Sequence, residues 1–376
     1  MALLVLGACV PNGLDGFFVM LEGSVADEAG APVAGAQVAL ASGDGEGLGE
    51  ATSDGDGRWA FPVHGLVTEG NRVEAEVGAS GMADGLAGWD VNLLSADVVR
   101  LRAGPNETWE ATPRVLAPAR LAAEGGGLAT GTLTDQLGYP AAGIPFVVQH
   151  GWDAGVGAAN EASGVTGASG EFSFTVASAG LYTLYAAPTD GWAGTRFPVL
   201  ATAEGTSTRA TIAAPLAPGE TLVTLTWSGE VDLDLHVSGP TTDAEAEASR
   251  FHIWTDETIH PERLVGEDEY LAELVQAAST GPGPECIAVN RAPGAGELWI
   301  SVADRANMLE TESTALAESG ALLQWWNGED IPRYALVSPL EVATSWRAVE
   351  IDTRGGTVYA VEHYAVGLDP TDDGEF

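Results

Sequence analysis

The sequence predicts an all-β protein made of tandem β-sandwich domains and a C-terminal β-sandwich with a short helical insertion. Three observations lead to this fold class. Apolar and polar residues alternate with the period of a half-buried strand, 49 glycines and 20 prolines suit many tight turns, and part of the chain is repeated. A length of 376 residues with 45% hydrophobic residues is enough for two or three domains with real cores.

The charge balance excludes one class of partner. There are 54 acidic residues against 15 basic ones, all of them arginine, giving a net charge of −39. Such a surface repels phosphate backbones, so no nucleic-acid partner is expected. It also disfavours direct electrostatic contact with anionic lipid. Two interpretations of the acidic surface stay open: a solubilising coat, or a surface that collects divalent cations.

The first nine residues end in Leu6-Gly7-Ala8-Cys9, after a short apolar run. This string resembles a bacterial lipobox, in which small residues precede a cysteine that becomes lipid-modified. The resemblance implies lipid attachment at Cys9 and a location at the cell envelope, on the outer membrane or cell surface. The alternative is a plain secretory or chance apolar N-terminus. The other cysteine, Cys286, is then expected to be a buried, inert thiol.

An internal repeat covers much of the first 214 residues. The segment 23–35 recurs at 131–143, where two glycines, an aspartate, a proline and a third glycine match at a constant offset of 108. The segment 57–61 recurs at 170–174, at an offset of 113. The difference of five residues falls in a Gly/Ala-rich stretch, where a loop insertion costs little. The chain therefore contains two copies of one β-domain.

These motifs resemble the carboxypeptidase regulatory-like family. The pattern is Gly-x-Val, then Asp-x-x-Gly-x-Pro-Val-x-Gly, then Asp-Gly-x-aromatic-x-Phe, and the first copy fits it more closely than the second. The resemblance implies transthyretin-like or immunoglobulin-like sandwiches that act as accessory domains without peptidase activity. Within this pattern, Asp54-Gly55-Asp56-Gly57 is interpreted as a hairpin turn, because no calcium-loop ligands follow it.

The third domain opens with two alternating stretches, 221–227 and 231–237. Together with the later segments 293–302 and 346–352, they resemble the YfaP-like family of bacterial envelope proteins. The resemblance implies a β-domain and carries no activity. The predicted organisation of the chain is a truncated lipoprotein signal and tether at 1–19, copy one at 20–115, a linker at 116–127, copy two at 128–214, the YfaP-like domain at 219–366 and an acidic tail at 367–376.

Two helices are predicted inside the third domain. Residues 267–278 place Leu271, Leu274, Val275 and Ala278 on one face, and acidic residues fill the first turn. A second, weaker helix is predicted near 310–318.

Candidate metal ligands concentrate in the third domain. Asp232, Asp234 and His236 alternate along one strand, and His252 and His260 follow. Carboxylates with imidazoles suit zinc, and carboxylates alone suit calcium. No known metal motif has these spacings, so the favoured interpretation is that the aspartates bond neighbouring backbone and no cofactor is bound.

The remaining chemistry in the sequence is sparse. No Gly-x-Ser-x-Gly motif is present, and the glycine-rich segment 43–49 is acidic, which is wrong for phosphate. Trp325-Trp326 would place one indole away from the core if it lies on a strand, where it would stack on a sugar or cover a domain junction.

The sequence therefore predicts a non-enzymatic, lipid-anchored envelope protein that acts as a structural or display module. Its expected partners are the membrane, through the lipid anchor, and other envelope proteins or glycans. The alternative is a module that binds a divalent cation or a glycan through the third domain. A metal-dependent hydrolase using Asp232, Asp234 and nearby histidines is a third hypothesis.

Overall fold

The structure is a computed structural model. It describes residues 17–42, 47–64, 72–90, 98–102, 108–116, 119–152, 159–241, 250–260, 271–278, 281–290, 296–328, 331–353 and 358–366. Antiparallel strands dominate these residues, which confirms the predicted all-β class of β-sandwich domains. None of the helices in this part of the chain is long and apolar enough to cross a membrane.

The first repeat copy folds into two sheets. Its described strands are β1 (Phe17–Ala26), β2 (Gln37–Ser42), β3 (Gly47–Thr52), β4 (Arg58–His64), β5 (Arg72–Gly78), β6 (Gly85–Asp90), β7 (Val98–Arg102), β8 (Thr108–Val115) and β9 (Ala119–Arg120). One sheet has the order β4-β1-β8-β7, with β9 also paired to β1, and the other has the order β3-β2-β5-β6. Strands β1 and β8 run parallel, and the other pairs on these two paths are antiparallel.

The second copy has the same arrangement with fewer strands. They are β10 (Gly127–Asp135), β11 (Pro145–His150), β12 (Asn160–Val165), β13 (Glu171–Val176), β14 (Gly180–Ala186), β15 (Thr195–Ala201) and β16 (Thr206–Ile212). The orders β13-β10-β16 and β12-β11-β14-β15 match the first copy strand for strand, including the parallel pair β10 and β16.

The repeated residues perform the same structural roles in both copies. Asp27 Oδ1 accepts the N–H groups of residues 29 and 31, and Asp135 Oδ1 accepts those of residues 137 and 139. Gly57 and Gly170 both have positive φ, of 73° and 75°. A Cβ on either would lie within 2.6 Å of a backbone carbonyl oxygen, so glycine is required there. The turn at Asp54 joins β3 to β4, which lie in different sheets, so the predicted turn is present but is not a hairpin.

The third domain contains two five-stranded sheets. Its described strands are β17 (Thr221–Thr226), β18 (Leu233–Pro240), β19 (Arg250–Ile253), β20 (Ala272–Gln276), β21 (Glu285–Val289), β22 (Glu297–Asp304), β23 (Leu322–Asn327), β24 (Arg333–Leu336), β25 (Ser345–Asp352) and β26 (Val358–Ala365). The orders are β20-β21-β17-β23-β24 and β19-β18-β22-β25-β26, and the largest hydrophobic cluster draws residues from both sheets.

One predicted helix is a strand instead. Residues 267–270 lie outside the described part, and Ala272–Gln276 pairs antiparallel with β21. Leu274 packs against the core while Val275 is exposed, so neighbouring side chains face opposite ways, as in a strand. Cross-strand pairing therefore overrides the local helical pattern. Near 310–318 the structure has a single helical turn, α1 (Ala315–Glu318), preceded by a 3₁₀ turn at Arg305–Asn307.

The predicted linker and the end of the second copy are packed against neighbouring domains. Within 116–127, Ala119 and Arg120 form β9, and Leu121 is buried in the core cluster of the first copy. Ala213, at the end of the second copy, is buried beside Trp326 of the third domain. Trp152 of the second copy joins the core cluster of the first, and its backbone N–H donates to Leu86 O at 2.8 Å. The three domains therefore contact one another along much of the chain.

Candidate functional site

The candidate site lies on strand β18 of the third domain. Leu233 and Leu235 point into the hydrophobic core, so Asp234 and His236 lie on the opposite face. Both are nevertheless buried, with 2% and 3% of their surface exposed. Asp232 precedes the strand, and its carbonyl oxygen accepts the N–H of Arg305 at 3.0 Å. The predicted alternation along the strand is therefore present for Asp234 and His236.

Asp234 is held by its own neighbours. Its Oδ1 accepts the hydroxyl of Thr255 at 2.8 Å, and its Oδ2 lies 3.3 Å from Nη1 of Arg305. Arg305 also contacts Asp256 at 3.1 Å. Burial raises the pKa of Asp234 above its ordinary value, and the Thr255 hydroxyl and the Arg305 charge oppose that rise. The carboxylate is thus engaged by protein groups that orient it.

His236 belongs to an aromatic cluster. Its Nδ1 lies 2.9 Å from Nε2 of His252, so one ring nitrogen donates a hydrogen bond to the other. Both imidazoles stack on the indole of Trp254, at ring distances of 5.1 Å and 6.1 Å. The pairing arises because His236 and His252 lie on adjacent antiparallel strands, β18 and β19. Three flat rings thus pack side by side on the outer face of this sheet.

The predicted set of five metal ligands does not come together. His260 lies against Phe251, at a ring distance of 5.8 Å, and Phe251 points into the core on the opposite side of β19 from His252. Asp234 is bonded to Thr255 and Arg305 instead of an imidazole. Within the described residues, no group of three or more histidine, cysteine, aspartate or glutamate side chains is arranged to hold a metal ion.

A buried carboxyl that the sequence analysis missed lies behind β18. Glu285 on β21 is 1% exposed, and its Oε2 accepts the N–H of Leu235 at 2.7 Å. Its Oε1 accepts the N–H of Ala278 at 3.2 Å. Because β18 and β21 belong to different sheets, this side chain joins the two layers of the domain. Burial raises the pKa of Glu285 to about 8, although the two backbone N–H groups oppose that rise. The only signal in the sequence is a lone carboxyl at the start of an apolar strand.

The prediction that Trp325 or Trp326 stacks on a sugar needs correction. Strand β23 carries both, but they are only 4% and 0% exposed. Trp325 lies in the core of the third domain. Trp326 lies on the other side of the sheet, where its Nε1 donates to Gly194 O of the second copy at 3.0 Å. The outer face of the sheet that contains β23 therefore packs against the second copy, and Trp326 covers this domain junction.

Trp299 on β22 has a partly exposed indole ring that contacts two arginine side chains. The guanidinium carbon of Arg250 lies 3.5 Å from its ring centre, and that of Arg347 lies 4.4 Å away. These cation–π contacts hold two of the chain's few basic groups on this sheet face.

Of the two cysteines, the structure describes Cys286. Cys9, the predicted lipid attachment site, lies outside the described residues. Cys286 is fully buried, as predicted, and burial raises the pKa of its thiol far above the usual range.

Comparison with solved structures finds similarity at low TM-scores and low sequence identity. A shaft pilin from Lactobacillus rhamnosus GG is 11% identical, with 53% of this chain and 99% of the pilin covered and a TM-score of 0.19. The TIE protein of Bacillus anthracis is 9% identical, covering 76% of this chain and 45% of that one, at 0.20. A homologue of the telluride resistance protein TerD from Streptomyces coelicolor A3(2) is 16% identical, covering 41% and 94%, at 0.30.

At these TM-scores the similarities do not bear on function. No family model matches the chain, and no curated protein matches it. The resemblances to the carboxypeptidase regulatory-like and YfaP-like families therefore stay predictions.

Proposed function

We propose that the protein is a non-catalytic structural or display module of the bacterial cell envelope, whose β-domains are held in fixed contact. The observation that carries this proposal is the buried, hydrogen-bonded interface between the second and third domains. An interface of directional polar bonds fixes the orientation of two domains more strictly than apolar packing, because each bond is lost when the domains rotate.

Gln324 is the centre of that interface. It lies on β23, is 0% exposed and uses both ends of its amide. Its Oε1 accepts the N–H of Thr211 at 2.8 Å and the hydroxyl of Thr211 at 3.0 Å. Its Nε2 donates to the hydroxyl of Thr195 at 2.9 Å. The hydroxyls of Thr211 and Thr224 lie 2.6 Å apart, which extends the network across the junction.

The third domain also contacts the first copy. Arg58 Nη2 lies 2.6 Å from Glu341 Oε1, and Gly30 packs against Pro339. Since Trp326 and Gln324 bind the second copy, one domain is attached to both repeats. Such an arrangement suits a protein that presents a surface at a set distance and angle.

The cell-envelope part of the proposal is supported by the Leu6-Gly7-Ala8-Cys9 string and by the acidic composition. In this proposal Cys9 carries the lipid, and the charge of −39 keeps the domains soluble and apart from anionic lipid headgroups.

Location is tested by feeding cells an alkyne fatty acid and shaving intact cells with protease. We expect the full chain to be labelled and to be cleaved from outside, and Cys9→Ser to lose the label. Cys286 serves as an internal control because its buried thiol stays unmodified. An unlabelled protein in the cytosolic fraction would contradict the proposal.

Fixed domain contact is tested by electron-spin distance measurement. Spin labels are attached at Tyr139→Cys in the second copy and Leu309→Cys in the third domain, in a Cys9→Ser background. Both positions are exposed, at 66% and 94%. We expect one narrow distance distribution, which Gln324→Ala broadens. A broad distribution in the parent protein would show that the domains move independently and would refute this part of the proposal.

A further inference from the structure

The two repeat copies differ at one sheet edge. In the first copy, β7 pairs antiparallel with β8 and so covers the outer edge of the parallel β1–β8 pair. In the second copy, β10 is the one described strand that pairs with the equivalent strand β16. Only four residues, 202–205, connect β15 to β16. In the first copy, the longer segment 91–107 lies between β6 and β8 and includes β7. Among the described residues, the second copy therefore has no strand in the position that β7 occupies in the first copy.

Most of the outer edge of β16 is covered by side chains. Main-chain groups of alternate residues face the same edge of a strand. Arg209 O accepts the hydroxyl of Thr226 at 2.8 Å, and Thr211 N donates to Gln324. Thr211 O accepts the hydroxyl of Thr195. By the same alternation, the N–H and C=O of Ser207 point to this edge, where the described chain places no strand.

Ser207 opens into a cleft where all three domains meet. The cleft has a volume of about 350 Å³ and is lined by Thr206–Arg209, by Leu200 and Leu336, and by Gly30 and Glu28 of the first copy. Its lining is partly apolar and also includes the charged residues Arg120, Arg209, Glu28 and Glu318. Because both signs of charge are present, charge does not select the ligand. The outward N–H and C=O of Ser207 offer the specific contacts.

We propose that this cleft binds an extended peptide segment of a partner protein, which adds a strand antiparallel to β16 at Ser207. An extended peptide backbone supplies both an acceptor and a donor at the spacing that Ser207 N–H and C=O require. Strand β7 occupies the equivalent position in the first copy, and its direction sets the expected direction of the peptide. Leu200 and Leu336 then accept one apolar side chain of the peptide.

The test uses a fluorescein-labelled peptide with the sequence of residues 98–102, Val-Val-Arg-Leu-Arg, the strand that fills the equivalent edge. We expect saturable binding to the full chain by fluorescence anisotropy, with slower amide hydrogen exchange at Ser207 and Arg209. Ser207→Pro removes the outward N–H and is expected to weaken binding by about tenfold or more, whereas Ser207→Val keeps that N–H and the affinity.

A second arm does not depend on the folding of the Pro variant. Two forms of the peptide are N-methylated, one at residues 1, 3 and 5 and the other at residues 2 and 4. A strand faces its partner with alternate N–H groups, so we expect one form to lose binding and the other to keep it. Absence of saturable binding, or equal effects of the two methylation patterns, would overturn the proposal. Self-association of the full chain that Ser207→Pro abolishes would show that the occupant is a second copy, which would also overturn it.

Discussion

Replacing Glu285 with glutamine removes the carboxyl group that joins the two sheets of the third domain. The glutamine fills the same space, and its carbonyl oxygen still accepts one of the two backbone N–H groups from Leu235 and Ala278. Its amide nitrogen accepts no hydrogen bond, so one N–H loses its partner. That loss costs about 1 kcal/mol at any pH. The difference in unfolding free energy between the variant and the parent protein, in contrast, changes with pH.

The magnitude follows from the raised pKa. The pKa of Glu285 is about 8 in the folded protein, against 4.5 for an unperturbed glutamate. Because the folded pKa is raised, the stability that the protonated group contributes is fully present below pH 4.5 and is lost as pH rises through about 8. At 1.36 kcal/mol per pKa unit, the difference of about 3.5 units corresponds to at most about 5 kcal/mol. About 3 kcal/mol of it is lost between about pH 5.5 and pH 8.5.

The assay is urea unfolding at several pH values. We expect Glu285→Gln to gain about 3 kcal/mol in unfolding free energy relative to the parent protein between about pH 5.5 and pH 8.5. The control is Glu312→Gln, which removes a carboxylate from an exposed site in the same domain and is expected to follow the parent. If the curves of parent and Glu285→Gln run parallel across this range, the carboxyl does not carry the pH dependence and the reasoning is wrong.

Three further predictions concern the interface, the repeat and the metal hypothesis. Gln324→Ala is expected to lower the free energy of unfolding in urea by about 2–4 kcal/mol, because the buried N–H of Thr211 loses its acceptor. A decrease below about 0.5 kcal/mol would contradict the network. Gly57→Ala is expected to lower the free energy of unfolding by about 2–3 kcal/mol, and Gly55→Ala by at most about 0.5 kcal/mol. Of these two glycines, only Gly57 has a positive φ and a carbonyl oxygen where the new Cβ would lie. Equal decreases in the two variants would refute this reasoning. Dialysis against EDTA is expected to leave the melting temperature unchanged, because Arg305 and Thr255 already engage Asp234, and a fall of several degrees would show that a metal is bound.

The repeat could be read from the sequence because its signals are local. A glycine with positive φ and an aspartate that accepts the N–H groups two and four residues later act within one turn, so they recur wherever the turn recurs. Asp27 and Asp135 make the same two bonds in both copies, and Ser53 and Thr166 likewise bind equivalent backbone groups in the segment before β2 or β11. Period-two alternation likewise located β13 and β18, whose neighbours in the sheet need not be known.

The features that could not be predicted depend on which strands meet. Residues 271–278 have a helical pattern, yet pairing with β21 makes most of them a strand. His252 and His260 are eight residues apart, and only the fold places them on opposite sides of β19. Glu285 gains its role from Leu235, fifty residues away along the chain. In each case the contact that decides the structure comes from another strand or sheet, and the local sequence does not indicate which strand that is.

The difference between the two copies explains why the third domain packs where it does. An uncovered sheet edge exposes main-chain donors and acceptors, which proteins cover with a strand or with side chains. The first copy covers the outer edge of β8 with β7. The second copy covers most of β16 with Thr226 and Gln324 of the third domain, which lie on the adjacent strands β17 and β23. The same contacts therefore protect the edge and fix the domain orientation, and the short stretch they leave at Ser207 is the place where another strand fits.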